Sequence, residues 1–231
     1  MKLNLITVCV DTYPMEYARK LITRFKQVTE FDVEPYCITD RPDEIKDIAT
    51  AITPPVKING WWNKMFIYSD LMPEGWNLYM DLDIVICNSF DEELKWIMEQ
   101  DQPIACVSDA IGWMNNKYSS SMVMLQSGKS SWIYDRWFKK YKKLSDYQGG
   151  DQVWTGRLMK QKGIDVIYVD EKFPHIKANL KFHLAQAMGD GRMQLPAVIP
   201  ASIKMVDCGG RPKPHEIKSV PYIIENWHNI K

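Results

Sequence analysis

The sequence predicts an α/β fold: a single domain with a mostly parallel sheet flanked by helices. Three observations carry that expectation. β-rich apolar runs alternate with helix-spaced segments through roughly the first 110 residues. Polar residues gather at the carboxyl ends of those runs, where open α/β sheets bind their ligands. The 231 residues, 45% hydrophobic and 25% charged, fit one globular domain with a full core.

The elements follow in order. LNLITVCV (3–10) is a β-rich strand, and Pro14 opens a helix with Tyr17, Leu21, Ile22 and Phe25 at helical spacing. FDVEPYCITD (31–40) is a second strand, a short helix follows Pro42, and AITPPVKING (51–60) is loop by its proline pair and Asn-Gly. WWNKMFIYSDL (61–71) is spaced as a helix. One face carries Trp62, Met65, Phe66 and Ser69, and another carries Trp61, Lys64, Tyr68 and Leu71. NLYMDLDIVICNSF (77–90) is a strand, a helix starts at Asp91, and PIACVS (103–108) is the next strand. Beyond it, SSMVMLQSG (120–128) alternates as a strand, and SSWIYDRWFKKYKKL (130–144) is a serine-capped amphipathic helix. GGDQVWTGRLMKQKG (149–163) is a helix with a glycine stop, and IDVIYVD (164–170) is a strand. The pattern fades from 171 to 200, and SIKMVDC (202–208) is a last strand before a basic tail.

Composition narrows the function classes. Lys plus Arg and Asp plus Glu are 29 each, so no net field recruits nucleic acid or an anionic membrane. No stretch approaches the roughly 20 apolar residues of a membrane span. The amino terminus meets Asp11 and Pro14 too early for a signal peptide, so a soluble, cytoplasmic protein is expected. The five cysteines (Cys9, Cys37, Cys87, Cys106 and Cys208) are scattered, odd in number and mostly within strand-like runs. They read as reduced core thiols, not as a disulfide framework or a zinc site.

The chemistry concentrates at three strand ends: Val10 and Asp11, Thr39 and Asp40, and Asp81 with Asp83. On a continuous strand, residues i and i+2 point the same way, so Asp81 and Asp83 project side by side. Two like charges on a covered strand repel, and desolvation adds several kcal/mol per ion. A divalent cation between them reverses that balance. Hard oxygen ligands suit Mn²⁺ or Mg²⁺, with phosphate oxygens completing the shell.

LYMDLDIVI (78–86) resembles the D-x-D strand of the GT-A-fold glycosyltransferases. The resemblance continues in the opening strand and in CITDRPD (37–43), GWWNKMFIYSDL (60–71), YSSSMVML (118–125), GGDQVW (149–154) and GRPKPHE (210–216), in that order. It is strongest to the family-8-like and bacteriophage-type small enzymes. It implies a GT-A, Rossmann-like domain over 1–231, with residues 1–110 as the nucleotide-binding half and 111–231 as the acceptor-binding half and tail. The implied reaction is metal-dependent transfer of a hexose from a UDP-linked donor to a glycan or other hydroxyl acceptor, with retention. The implied metal ligands are Asp81 and Asp83. Thr7, Val8, Tyr13 and Asp40 are placed against base and ribose, and Trp61, Lys64, Asp81, Ser120, Arg211 and Lys213 against diphosphate and sugar. Asp151 and Gln152, with Lys64, are the implied catalytic residues.

One departure stands out. The family's metal-binding histidine falls where this chain has Gly209, in DCGGRPKPHE (207–216). Asp207, Cys208, His215, His228 or water are the possible substitutes, while His175 and His183 show no ligand spacing. That departure keeps a second reading open, a catalytically weakened nucleotide-sugar or glycan-binding module. A sugar nucleotidyltransferase needs a glycine-rich loop after the first strand, and VDTYPMEYARK (10–20) has no glycine.

Overall fold

The computed structural model describes every residue except 12, 59, 110–111, 145–146 and 188–192. The strands are β1 (Lys2–Val8), β2 (Asp32–Ile38), β3 (Thr50–Ile52), β4 (Trp76–Met80), β5 (Ile84–Ile86) and β6 (Ile104–Ser108). They continue as β7 (Tyr118–Gln126), β8 (Ile167–Tyr168), β9 (Lys177–Asn179), β10 (Gln186–Ala187), β11 (Met193–Gln194) and β12 (Met205–Asp207). The helices are α1 (Met15–Val28), α2 (Asp91–Met98), α3 (Ser131–Phe138), α4 (Gly150–Gln161), α5 (Val169–Lys172) and α6 (Pro221–Ile223).

Seven strands form the central sheet in the order β3-β2-β1-β4-β7-β6-β8. Its pairs are parallel except those of β7, which runs antiparallel to both β4 and β6. Alternation along the strands sorts side chains into two cores. Leu3, Leu5, Leu78, Met80, Met122 and Met124 face one core, which α1, α2 and the small sheet cover. Ile6, Tyr79, Val123 and Leu125 face the other, which α3, α4 and the segment 60–68 cover. Both faces are thus buried, as a largely parallel sheet requires. The helix α1 pins the first core with Leu21, Ile22 and Phe25, each almost fully buried and contributing about 2 kcal/mol. All five cysteines are free and buried, as expected from their spacing.

Several elements depart from the sequence expectation. The 77–90 run is not one strand. β4 stops at Met80, a turn carries Asp81–Asp83, and β5 joins a second sheet of order β5-β12-β9. Segment 60–68 is a 3-10 helix rather than an α-helix, entered through Gly60 at φ 68°. It is packed on nearly all sides, so the expected face of Trp61, Lys64, Tyr68 and Leu71 splits. Tyr68 is buried with its hydroxyl against that of Tyr118, while Trp61 and Leu71 are exposed. Part of 51–60, expected as loop, is the edge strand β3. The 130–144 helix ends at Phe138, and 164–170 is a two-residue strand running into α5.

Candidate active site

A cavity of about 480 Å³ opens at the carboxyl ends of β1 and β4. That volume lies within the range of small-molecule sites. One side is lined by Val8, Val10 and Tyr13, another by Tyr79, Asp81 and Asp83, and a third by Gly60, Trp61 and Lys64. Gly209 and Gly210 close it from the C-terminal segment.

The geometry of the two aspartates follows from the break after β4. Asp81 continues the β4 alternation two residues beyond Tyr79, on the face of the second core. There Lys64 reaches it from the 3-10 helix, with Nζ 2.8 Å from Oδ1 and 2.9 Å from Oδ2. The Tyr79 hydroxyl donates to Asp81 Oδ1 at 2.5 Å. Asp83 ends the turn and meets Lys213, whose Nζ is 2.5 Å from Oδ2 and 2.8 Å from the Tyr13 hydroxyl. The expectation that both carboxylates share one strand face is therefore corrected. They belong to a turn between two sheets, face one cavity, and are neutralised from opposite sides.

Charge follows that layout. Burial pushes the Asp83 carboxyl above the ordinary aspartate value, and the neighbouring Asp81 pushes it further, while Lys213 opposes both. Burial disfavours the Lys64 ammonium, yet Asp81, Asp151 and Asp83 outweigh it and hold that group above the ordinary lysine value. Lys213 is likewise raised, by Asp83 against its own desolvation. Both lysines are fully charged at neutral pH.

Asp151 and Gln152 open α4. Asp151 is buried and makes no side-chain hydrogen bond or ion pair with a described residue. Its charge is felt at Lys64. Gln152 Oε1 accepts from the Ser120 amide at 3.2 Å, and the Ser120 hydroxyl lies 3.4 Å from Lys64 Nζ. Lys64 thus links the aspartate turn, β7 and the start of α4.

Other expected residues sit elsewhere. Thr7 is fully buried and donates its hydroxyl to the Tyr36 carbonyl, because β1 directs it into the sheet. Its side chain does not line the cavity, so its placement against the base is corrected to a structural one. Asp40 lies in an adjoining cleft with Val10, Asp11 and Asn63, and it pairs with Arg41 at 3.6 Å. Arg211 is exposed and bonded to Glu216 at 2.8 Å. Its side chain does not line the cavity. His215 contacts Tyr17, and His228 Nε2 lies 2.9 Å from the Ile217 carbonyl, so neither replaces the histidine missing at Gly209.

Sequence reasoning missed Tyr79 and Lys177. Tyr79 sits two residues before Asp81, the same-face spacing that could have revealed it. Lys177 bonds Asp207 Oδ2 at 3.1 Å and Ser121 Oγ at 3.0 Å, and Asp207 Oδ1 accepts from the Gly209 amide at 2.9 Å. No local signal marks Lys177, because β9 reaches Asp207 only through the second sheet.

The donor set suits a hard divalent ion in one particular way. Asp81 and Asp83 present oxygen alone, and Asp207 is already held by Lys177 and Gly209. Among the described residues no group of three or more His, Cys, Asp or Glu could hold an ion unaided. Such a pair fits Mg²⁺ or Mn²⁺ when phosphate and water oxygens complete the shell.

Solved structures share this architecture. The glycosyltransferase GlyE of Streptococcus pneumoniae TIGR4 superposes with a TM-score of 0.64 at 16% identity, covering 98% of this chain. The chain spans 61% of GlyE's length. An active-site mutant of LgtC superposes at 0.63 with 12% identity, covering 99% of this chain and 96% of LgtC. The chain has the GT-A glycosyltransferase fold. The galactosyltransferase LgtC, solved with donor and acceptor sugar analogues, matches at 0.55 and 13% identity over 97% of this chain and 91% of its own. No protein-family model and no curated protein sequence matches the chain. Among the described residues no helix is long and apolar enough to cross a membrane.

Proposed function

We propose that the protein is a metal-dependent glycosyltransferase that moves a hexose from a UDP-linked donor to a hydroxyl acceptor with retention. The observation that carries this reading is the pair Asp81 and Asp83 in one cavity, each matched to a lysine. The half 1–110 holds the nucleotide and 111–231 supplies the acceptor side and the closing tail.

In this reading Val8 and Tyr13 flank the nucleoside, with Asp40 in reach of its edge. Asp81 and Asp83 hold Mn²⁺ or Mg²⁺, which when bound supplies positive charge to the departing diphosphate. Lys64 and Lys213 exchange their carboxylate partners for phosphate oxygens, adding fixed charge where the leaving group develops it. Ser120 and Gln152 fix the sugar against β7. Asp151, whose charge acts on Lys64, orients the incoming hydroxyl.

Alanine at both Asp81 and Asp83 removes Mn²⁺-stimulated UDP release from UDP-hexoses; undiminished release would sink the reading. Gly209, in place of a ligand histidine, favours one alternative, a binding module with weakened catalysis. Calorimetry showing UDP and Mn²⁺ bound, combined with no turnover on a panel of donors and acceptors, selects that alternative.

A further inference from the structure

The helix α3 and the 3-10 turn after it (Tyr141–Lys143) carry a charge that the rest of the chain does not balance locally. Residues 131–144 hold five cations, Arg136, Lys139, Lys140, Lys142 and Lys143, against the single acid Asp135. All five are exposed. Elsewhere surface cations meet acids, as Lys2 meets Glu34, Arg19 meets Asp47 and Lys46 meets Asp43. Among the described residues none of these five side chains forms a hydrogen bond or an ion pair. Lys142 alone sits over a ring, that of Tyr141, at 5.9 Å. Like charges crowded together repel, so the cluster opposes folding until something outside the chain answers it.

Aromatic rings run through the same surface. Ile133 and Trp137 are fully buried and fix α3 to the second core, where Trp137 meets Phe66 edge-on at 5.7 Å. Three more rings form a row outside Trp137. Phe138 stacks on Tyr134 at 5.4 Å and 21°, and on Tyr141 at 5.3 Å and 17°. Phe138 is the middle ring and is 38% exposed. The two tyrosines occupy its faces, so its edge is left for solvent.

We infer that this face of α3 docks on an anionic lipid bilayer. Charge complementarity selects the partner: unpaired ammonium and guanidinium groups meet lipid phosphates, each gaining from the negative surface potential. The ring row suits the same layer, because ring bodies enter the acyl boundary while tyrosine hydroxyls stay wet. Nucleic acid is the other common polyanion. Single strands bind by stacking bases on free aromatic faces, and here neighbouring rings already cover those of Phe138. Among the described residues no helix is long and apolar enough to cross a membrane, so the contact is peripheral. None of these residues lines the cavity of Asp81 and Asp83, so the docking surface is separate from the donor site.

Co-sedimentation of the full chain with lipid vesicles tests this. The protein binds an equimolar mixture of phosphatidylcholine and phosphatidylglycerol but not phosphatidylcholine alone, and it is released as NaCl rises from about 0.05 to about 0.5 M. Replacing four lysines together (Lys139→Gln, Lys140→Gln, Lys142→Gln and Lys143→Gln) weakens partition at least about 100-fold, since each surface lysine contributes about fivefold. The matching four Lys→Arg changes retain binding, and the glutamine variant melts no lower than wild type because repulsion is relieved. Phe138→Ala weakens partition about fivefold and keeps the salt dependence. Failure to bind the mixed vesicles, equal binding to both vesicle types, or equal binding by the glutamine variant and wild type overturns the inference. Capture of single-stranded oligonucleotides without binding to either vesicle also overturns it and assigns the surface to nucleic acid.

Discussion

Asp81 and Asp83 stand two residues apart and are neutralised by different parts of the molecule. Lys64 reaches Asp81 from a 3-10 helix wedged into the second core, where it also senses Asp83 and Asp151. Lys213 reaches Asp83 from the C-terminal segment and is steadied by Tyr13. The difference teaches that one pair is built into the scaffold, while the other is made by the C-terminal segment at the cavity wall. Neighbours in sequence can answer to separate structural layers.

Three substitutions break or sharpen that contrast. Lys64→Met has the largest expected effect, because it leaves Asp81, Asp83 and Asp151 without their shared cation. Breaking a buried pair costs roughly 3 kcal/mol or more, read as a lower urea midpoint, and pairing it with Asp81→Asn recovers part of the loss. Lys213→Met costs less stability, about 2 kcal/mol, because Lys213 answers one carboxylate where Lys64 answers three. Its mark is on binding, with UDP–Mn²⁺ affinity about tenfold weaker by calorimetry.

The pH dependence of that second variant sharpens the contrast further. Asp83 is already raised by burial and by Asp81, and Lys213 is the opposing charge. A carboxyl raised in the folded state opposes folding at neutral pH, and that cost is relieved as pH falls through its folded pKa. Cation binding needs the ionised form. On acidification, Lys213→Met therefore loses UDP–Mn²⁺ affinity at a higher pH than the wild type. An identical profile for the two proteins would show that Lys213 does not govern Asp83.

Arg211→Ala has the smallest expected effect. The side chain is exposed and, among the described residues, engaged with Glu216. Stability stays within about 0.5 kcal/mol and UDP affinity within about twofold. A tenfold loss of affinity would return Arg211 to the diphosphate site.

The alternating pattern of the first 110 residues made the parallel strands legible, because each strand and helix there has its own hydrophobic period. What escaped was pairing at long range. The run from Leu78 to Ile86 is uniformly apolar apart from its acids, so composition alone could not show that it changes sheets. Residues 62, 63 and 65–68 are all buried, so no single apolar stripe separates a 3-10 helix from an α-helix there. Within the candidate site, Lys64, Asp81, Asp83 and Tyr13 were legible because their spacing and strand-end positions carry chemistry. Thr7 was misplaced because strand alternation fixes the face of a side chain only once its partners are known. Lys177 stayed hidden because a lone lysine in a weakly patterned segment has no neighbour in sequence to explain it.

The aspartate turn is the direct covalent step from the seven-stranded sheet to the three-stranded one. Whatever grips Asp81 and Asp83 together rivets those two sheets at their seam, and holds the C-terminal segment down through Lys213. Occupancy of so small a spot should therefore register across the entire domain, so that melting behaviour becomes a gauge of cargo.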